Sequence, residues 1–427
     1  MSEPASSGGP STDGTKIPSV LVWFLVARAF DSTATSGLVT IVGFQVYAMT
    51  GDELDLGLLG LAEFLPSAVL VPFTGVLADR VDRRRVGAVG SALIGLLCLW
   101  LFAYIGTDPS DVWPIYLTMF AFGVIRAFQR PAVRALPADL APPGTAERVV
   151  ALSAASWQVG VIAGPFLAGV LYTLGVTLPY LFAAALMAVS VVSLLTVPSP
   201  QIERLRSRAG GVQMVRDAVE GLRYLRSSPI VGAAITLDLF AVLLGGAVAL
   251  LPALAEQRLG LGARGLGALR ASVGVGAASV TFLLAAVPIR RRVGTVLLAA
   301  VAVFGVATIA LGLTTSPVVA FIAVFVLGAS DSVSVFIRNT LVPLATPEAM
   351  RGRVLAVESV FIGASNELGA FESGVTAALF GLVPAVVFGG VGTLAVVAGF
   401  WFVVPTLRHI DRFSDALPAS RAAPSPG

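Results

Sequence analysis

Ionisable side chains that fall inside long apolar runs are the residues of this chain best placed to do chemistry. They are Arg28, Asp31, Glu63, Arg126, Arg130, Asp238, Arg270, Asp331, Glu358, Glu367 and Glu372. A charge at the centre of an apolar membrane helix costs about 3 kcal/mol even on insertion scales, so such residues persist where they pair or line water. Carboxylates in that setting can carry protons. The only histidine, His409, lies beyond the last apolar run, so the usual near-neutral switch is missing and acids must do that work. Asp31, Asp238 and Glu367 are the first candidates for proton coupling, and Glu63 is a further one. Glu63, nearer one end of its run, and Glu358, nearer the other, read as gate or rim acids. Arg28 and Asp31 are three apart and share a helical face, which suits either mutual neutralisation or ligand binding. Arg126 and Asp331 are 331 − 126 = 205 residues apart and are expected to face one another across a central space. Gln129, Trp157, Gln158 and Asn366, with Phe24 and Phe240, are expected to complete the lining of a cavity suited to amphiphiles.

Other chemistries find no support. There is no Gly-x-x-x-x-Gly-Lys phosphate loop and no cluster with metal-ligand spacing, and with the lone histidine beyond the last apolar run no Ser/His/Asp triad can form in the membrane. The reading is therefore of a protein that is not an enzyme, with no metal and no cofactor beyond a proton gradient. Cys98, the single cysteine, excludes an intramolecular disulfide.

The elements that must hold these side chains are membrane helices. Hydrophobic residues make up 56% of the 427, charged residues only 12%, and mean hydropathy is +0.89. An apolar helix crosses a bilayer with about 20 residues. Twelve such runs follow: 18–45, 56–78, 87–106, 114–136, 150–173, 178–197, 230–254, 265–288, 294–313, 317–340, 354–380 and 382–404. Their continuous apolarity, without a period of two, marks them as helices and not barrel strands. Residues 1–16 read as a disordered tail, 17–197 as a first six-helix bundle, 198–229 as a linker with an amphipathic helix at the membrane surface, 230–408 as a second bundle and 409–427 as a tail. Lys16 is the only lysine, and arginines concentrate in alternate loops. With basic loops inside, both termini are cytoplasmic. The net charge of +3 then reports topology and lipid contact, not a nucleic-acid partner.

The two halves repeat. Arg-Arg-Arg-Val-Gly at 83–87 returns at 290–294, a shift of 290 − 83 = 207, and Asp31 and Asp238 are also 238 − 31 = 207 apart. Two six-helix halves with a midplane site between them form a secondary-transporter arrangement.

Several segments resemble the major facilitator superfamily over residues 17–410. Gly75-Val-Leu-Ala-Asp-Arg-Val-Asp-Arg-Arg-Arg85 is similar to the signature loop between its second and third helices, and Gly160-Val-Ile-Ala-Gly-Pro-Phe-Leu-Ala-Gly169 to the antiporter motif of its exporters. Arg126-x-x-Gln129 resembles the Arg-x-x-Gln-Gly of its fourth helix, with Arg130 in the place of the glycine. Thr346 to Arg353 and Leu407-Arg-His409 look most like the enterobactin-exporter branch, grouped with macrolide and multidrug efflux proteins. The resemblance implies an all-α fold of twelve transmembrane helices in two pseudo-symmetric bundles. It also implies a gating motif of Gly75, Asp79, Arg80, Arg83 and Arg84 with Gly160, Gly164 and Pro165. Topological anchoring accounts for the arginines, and tight packing for the glycines, as readily as gating does.

The expectation is a multi-pass plasma-membrane exporter, bacterial and monomeric, that moves an amphiphilic small molecule in exchange for protons by alternating access. The partners are the cargo, protons and the lipid bilayer. A narrow siderophore exporter, an importer or uniporter of the same fold, and a membrane receptor or enzyme scaffold are the alternatives.

Overall fold

A computed structural model describes residues 19–142, 144–197 and 211–417, without the side chains of 19, 71–80, 211–215, 217 and 218. The expected N-terminal tail, the first part of the linker and the end of the C-terminal tail lie outside these residues. So do the side chains of Gly75, Asp79 and Arg80, whose backbone forms the end of the second helix.

In chain order the helices are α1 (Ser19–Thr50), α2 (Glu53–Arg80), α3 (Arg83–Ile105), α4 (Trp113–Leu140), α5 (Ala146–Leu174), α6 (Leu178–Thr196), α7 (Gly211–Ser227) and α8 (Pro229–Leu244). There follow α9 (Leu251–Ala253), α10 (Gly262–Ala286), α11 (Val293–Leu313), α12 (Pro317–Ala345), α13 (Glu348–Phe380), α14 (Leu382–Val403) and α15 (Pro405–Arg408). Among the described residues nine stretches are long and apolar enough to cross a membrane, with Pro229–Arg258 taken as one. The remaining long helices, α1, α2 and α4, carry Asp31, Glu63, Arg126 and Arg130. Helices outrun the apolar runs because polar first and last turns continue the hydrogen-bond ladder beyond the greasy stretch. Thus α13 begins at Glu348, six residues before the expected 354, and α12 ends at Ala345, not 340.

The expected run 230–254 is not one helix. It breaks after Leu244, passes through a 3-10 turn at Ala247–Leu250 and the short α9, and closes on a π-turn at Leu254–Arg258. Gly245 and Gly246 set the break. A Cβ on Gly246 would stand 2.5 Å from the Gly369 carbonyl, and one on Gly245 would stand 2.5 Å from the Phe304 ring. Non-helical backbone at membrane depth is tolerated where protein or a cavity surrounds it, and this segment has both.

In the first half α1 packs on α5 and α6, α3 on α4 and α6, and α2 on α4. In the second, α10 packs on α12, α11 on α12 and α14, and α8 on α13 and α14. Two seams join the halves, α5 against α10 and α2 against α13. Both are made of glycine: Gly169 meets Ala263 and Gly267, and Gly57 meets Phe371 and Gly374. Small residues let backbones approach where no hydrophobic effect drives helices together. The amphipathic α7 packs on α13, where Gly221 sits against the Arg353 carbonyl, Arg353 pairs with Glu220, and Tyr224 donates to the Ala345 carbonyl at 3.1 Å.

The repeated Arg-Arg-Arg-Val-Gly elbows are anchored by different acids. In the first, Asp82 caps α3 by accepting from the Arg84 amide at 3.0 Å, and Arg83 makes two bonds to Asp139 at the end of α4, at 2.8 and 3.0 Å. In the second, Asp411 accepts from the Arg292 amide at 3.0 Å and the Arg291 guanidinium at 3.1 Å, so the first residues of the C-terminal tail are docked. Those donors hold the Asp411 carboxyl below the usual carboxylate range.

In Gly164→Leu the new side chain starts with a Cβ 2.3 Å from the Thr33 carbonyl. Overpacking of that kind costs about 1–3 kcal/mol or more, to be read as a lower Tm and less monodisperse protein on size exclusion. Gly363→Ala, with open space around it, is expected to leave both unchanged. Asp411 has a depressed folded pKa, so its contribution is present above its unfolded value and lost as the pH falls through the folded one. Asp411→Asn is therefore expected to lower Tm at neutral pH, with the gap to the parent closing on acidification.

Candidate functional site: a central cavity between the halves

A cavity of about 530 Å³ lies between the two halves, walled by α1, α2, α4 and α5 on one side and by α8, α10, α11, α12, α13 and the break after α8 on the other. Its apolar surface includes Met119, Phe122, Trp157 and Phe304. Its charged surface is Glu63, Arg126, Arg130, Arg270, Asp331 and Glu367. The end carrying the α1–α2 loop is sealed. There the glycine seams close, and Gln257 donates to Glu53 at 3.0 Å and to the Tyr47 hydroxyl, tying the broken helix to the α1–α2 corner. Toward the arginine-rich end the walls stand apart, with the Arg130 side chain 57% exposed, Trp157 40% exposed and Asn366 also exposed.

Two buried ion clusters flank this space, one in each half. In the first, Asp31 on α1 takes Arg126 at 3.1 Å on one oxygen and the Gln129 amide at 3.0 Å on the other. Gln129 also donates to the Ser91 hydroxyl at 3.0 Å and the Gly87 carbonyl at 3.3 Å, and Ser91 bonds Ser190. Position 130 faces the cavity, so Arg130 does not enter the network. In the second, Asp238 on α8 takes Arg338 of α12 at 2.8 Å, and Arg338 reaches Glu358 of α13 at 3.9 Å. Desolvating an ion pair is repaid only when geometry is good and the remaining polar sites are satisfied. The first cluster meets that condition more fully: among the described residues it leaves the Arg126 Nε without a hydrogen bond, whereas the second leaves the Arg338 Nε, a Glu358 oxygen and the nearby Ser334 hydroxyl.

A third group bridges the halves inside the cavity. Glu63 on α2 lies 3.7 Å from Arg130 on α4, and Glu367 on α13 lies within electrostatic reach of both. Arg270 on α10 feels the Glu63 charge.

The expected site residues therefore separate. Glu63, Arg126, Trp157, Asp331, Asn366 and Glu367 line the cavity. Asp31 and Gln129 do not; they are spent on one another and on Arg126. Gln158 donates to the Gly274 carbonyl at 3.0 Å, across the α5–α10 seam, because Gly274 leaves that carbonyl uncovered. Arg28 lies in the field of Asp31, Arg130 and Arg134 but is not the partner of Asp31. Phe24 is fully buried in the α1, α3, α4 and α5 packing, and Phe240 is not part of the wall. Glu63, expected at a rim, is in the cavity itself. Gly160 and Gly164 press on Ser32, Thr33 and Gly37 of α1, and the Pro165 carbonyl meets Gly267, so this motif forms both a packing face and the cavity wall. Arg338 was missed by sequence reasoning, although it falls inside the run 317–340.

Two helical halves around a charged central cavity, closed by the seams at one end, form the architecture of a membrane transporter. The chain belongs to the Major Facilitator Superfamily, whose family model matches residues 21–370. It is a transporter by family, not an enzyme. It is 28% identical over 208 residues to macrolide efflux protein A of Streptococcus pyogenes, a match covering 48% of each chain, so it spans about half the length of that relative. It is 26% identical over 400 residues to the enterobactin exporter EntS of Escherichia coli strain K12, covering 92% of this chain and 93% of that one. Among solved structures, a bacterial homologue of the human lysosomal transporter Spinster, inward-facing and unoccupied, superposes with a TM-score of 0.67 at 15% identity, covering 96% of this chain and 100% of that one. The nucleoside transporter NupG, as its D323A mutant, does so at 0.70 and 11%, covering 90% and 99%. These likenesses show the fold.

Asp31→Asn and Arg126→Gln are each expected to destabilise by about 3–5 kcal/mol, because each strands a buried charge or its partner. The double variant should lose less than the sum, a positive coupling measurable in a cycle. Cys98 is free and buried, so a thiol-reactive fluorophore reports the unfolding.

Proposed function

We propose that the protein exports an amphiphilic small molecule in exchange for protons by alternating access. The observation that carries this reading is the meeting of Glu63 and Glu367, one from each half, in a single cavity that also presents an aromatic wall. A proton on Glu367 removes the charge that would hold a polar group of the cargo. Two ligands that compete for one carboxylate exclude each other, which is the thermodynamic basis of exchange. The apolar body of the cargo would lie against Phe122, Trp157 and Phe304. Rocking of the halves would open the glycine seams and the Gln257–Glu53 latch while bringing the arginine-rich ends together.

Similarity to macrolide and enterobactin exporters supports outward transport. In this reading the arginine-rich end and both termini are cytoplasmic, the membrane is the bacterial plasma membrane, and the unit is a monomer. A narrow siderophore exporter is the second reading, favoured by the nearly full-length match to the enterobactin exporter.

The test is efflux of a panel of macrolides, dyes and catecholate siderophores from cells and proteoliposomes, with and without a pH gradient. Protonophore-sensitive efflux is expected for the parent. Glu367→Gln and Glu63→Gln should each reduce gradient-driven efflux at least tenfold, as expected when the coupling group is lost. Full coupling in both variants, or net accumulation of the compound, would overturn the proposal.

A further inference from the structure

Behind the wall of the main cavity is a second space of about 10 Å³, bounded by Asp238, Ala241 and Val242 of α8, Val301 and Phe304 of α11, and Ser330, Asp331 and Ser334 of α12. A space of that size holds one water-sized particle. We infer that it is a binding site for a single monovalent cation of sodium size, held between Asp331 and Asp238 with the Ser330 and Ser334 hydroxyls.

The supply of counter-charge is the first support. Asp331 and Glu358 both lie within electrostatic reach of Asp238, and among the described residues Arg338 is the one cation that acts on all three acids, so three carboxyl groups share one guanidinium. Arg338 is committed to Asp238 Oδ1 at 2.8 Å and to Glu358 at 3.9 Å, and Asp331 forms no hydrogen bond or ion pair among the described residues. The α11 wall brings no charge, since it contributes Val301 and Phe304. A buried carboxylate without a counter-charge is relieved either by a proton or by a bound cation, and the oxygen-lined space beside Asp331 offers room for the cation.

The second support is independent of charge. Ser334 is 3% exposed, and its hydroxyl oxygen has no hydrogen-bond partner among the described residues. It opens on this space, one helical turn from Ser330 and three residues from Asp331, so the three share a face of α12 opposite Asp238. The Ser330 hydroxyl donates to the Val326 carbonyl at 2.7 Å, leaving its lone pairs for a cation. Carboxylate and hydroxyl oxygens suit a small hard cation. Asp331 lines both this space and the main cavity, so it stands at the passage between them.

The inference goes beyond the exchange reading and does not need a cargo to be known. Full-length protein in detergent is heated at constant pH and ionic strength in choline, potassium, lithium or sodium chloride, and binding of radioactive sodium is measured in parallel. Sodium should raise Tm saturably and potassium should not. Asp331→Asn should abolish both signals, and Ser334→Ala should weaken half-saturation roughly tenfold, as loss of one ligand does. Glu367→Gln, in the main cavity, should keep the sodium response even where it abolishes exchange. A parent Tm indifferent to sodium, or a response that survives in Asp331→Asn, would overturn the site. The same melts are run in choline chloride at several fixed pH values; a Tm that follows pH while remaining indifferent to sodium would equally overturn the site, with a water or proton then filling the space.

Discussion

The molecule is organised by the cost of placing charge in an apolar medium. Each half answers it in the same way, with an aspartate on its first long helix held by an arginine from its fourth: Asp31 with Arg126, and Asp238 with Arg338. These bridges cross the interior of each bundle. They fix the register of α1 against α4 and of α8 against α12 more sharply than Leu and Val packing could, because a one-turn slip would strand two charges. The charges at the mutual face of the halves, Glu63, Arg130, Arg270 and Glu367, are left to line the cavity.

The buried acids differ in what surrounds them. Asp31 finds its partners, Arg126, Gln129 and Ser91, inside its own half and is fully engaged. Glu63 and Glu367 come from different halves and meet only in the cavity. Any movement between the bundles changes their mutual distance and the distance of Glu367 from Arg130, while Glu63 keeps Arg130, its neighbour within the first half. Asp331 is intermediate, open to the cavity on one side and to the acid-rich space on the other.

Glycine provides the complementary device. Along α5–α10 and α2–α13 the backbones touch directly, so the closed end of the cavity is sealed by surfaces without side chains to interlock. Such seams part without rotamer rearrangement, whereas a seam of interdigitated leucines would not. The Gln257, Tyr47 and Glu53 cluster adds the polar contact that sets the closed position. At Gly245 and Gly246 the same absence of side chains breaks a helix and exposes backbone to the cavity.

The sequence alone determined the helical membrane class, the internal repeat and most of the charged inventory, because apolar length and the cost of buried charge are local properties that composition displays. Glu63, Arg126, Asp331 and Glu367 could be named as inward charges for that reason. Pairing was another matter. Arg338 breaks the repeat, standing 338 − 126 = 212 residues from Arg126 where the other correspondences are 205 or 207, so a search by symmetry passes over it and selects Asp331. Three-residue spacing suggested Arg28 for Asp31, yet the guanidinium that reaches it comes from α4. The break at Gly245 was equally hidden, since 230–254 is apolar throughout and only the closeness of Gly369 and Phe304 makes those glycines necessary. Which charge meets which, and which faces water, depends on helices distant in sequence packing side by side, and only the tertiary structure decides that.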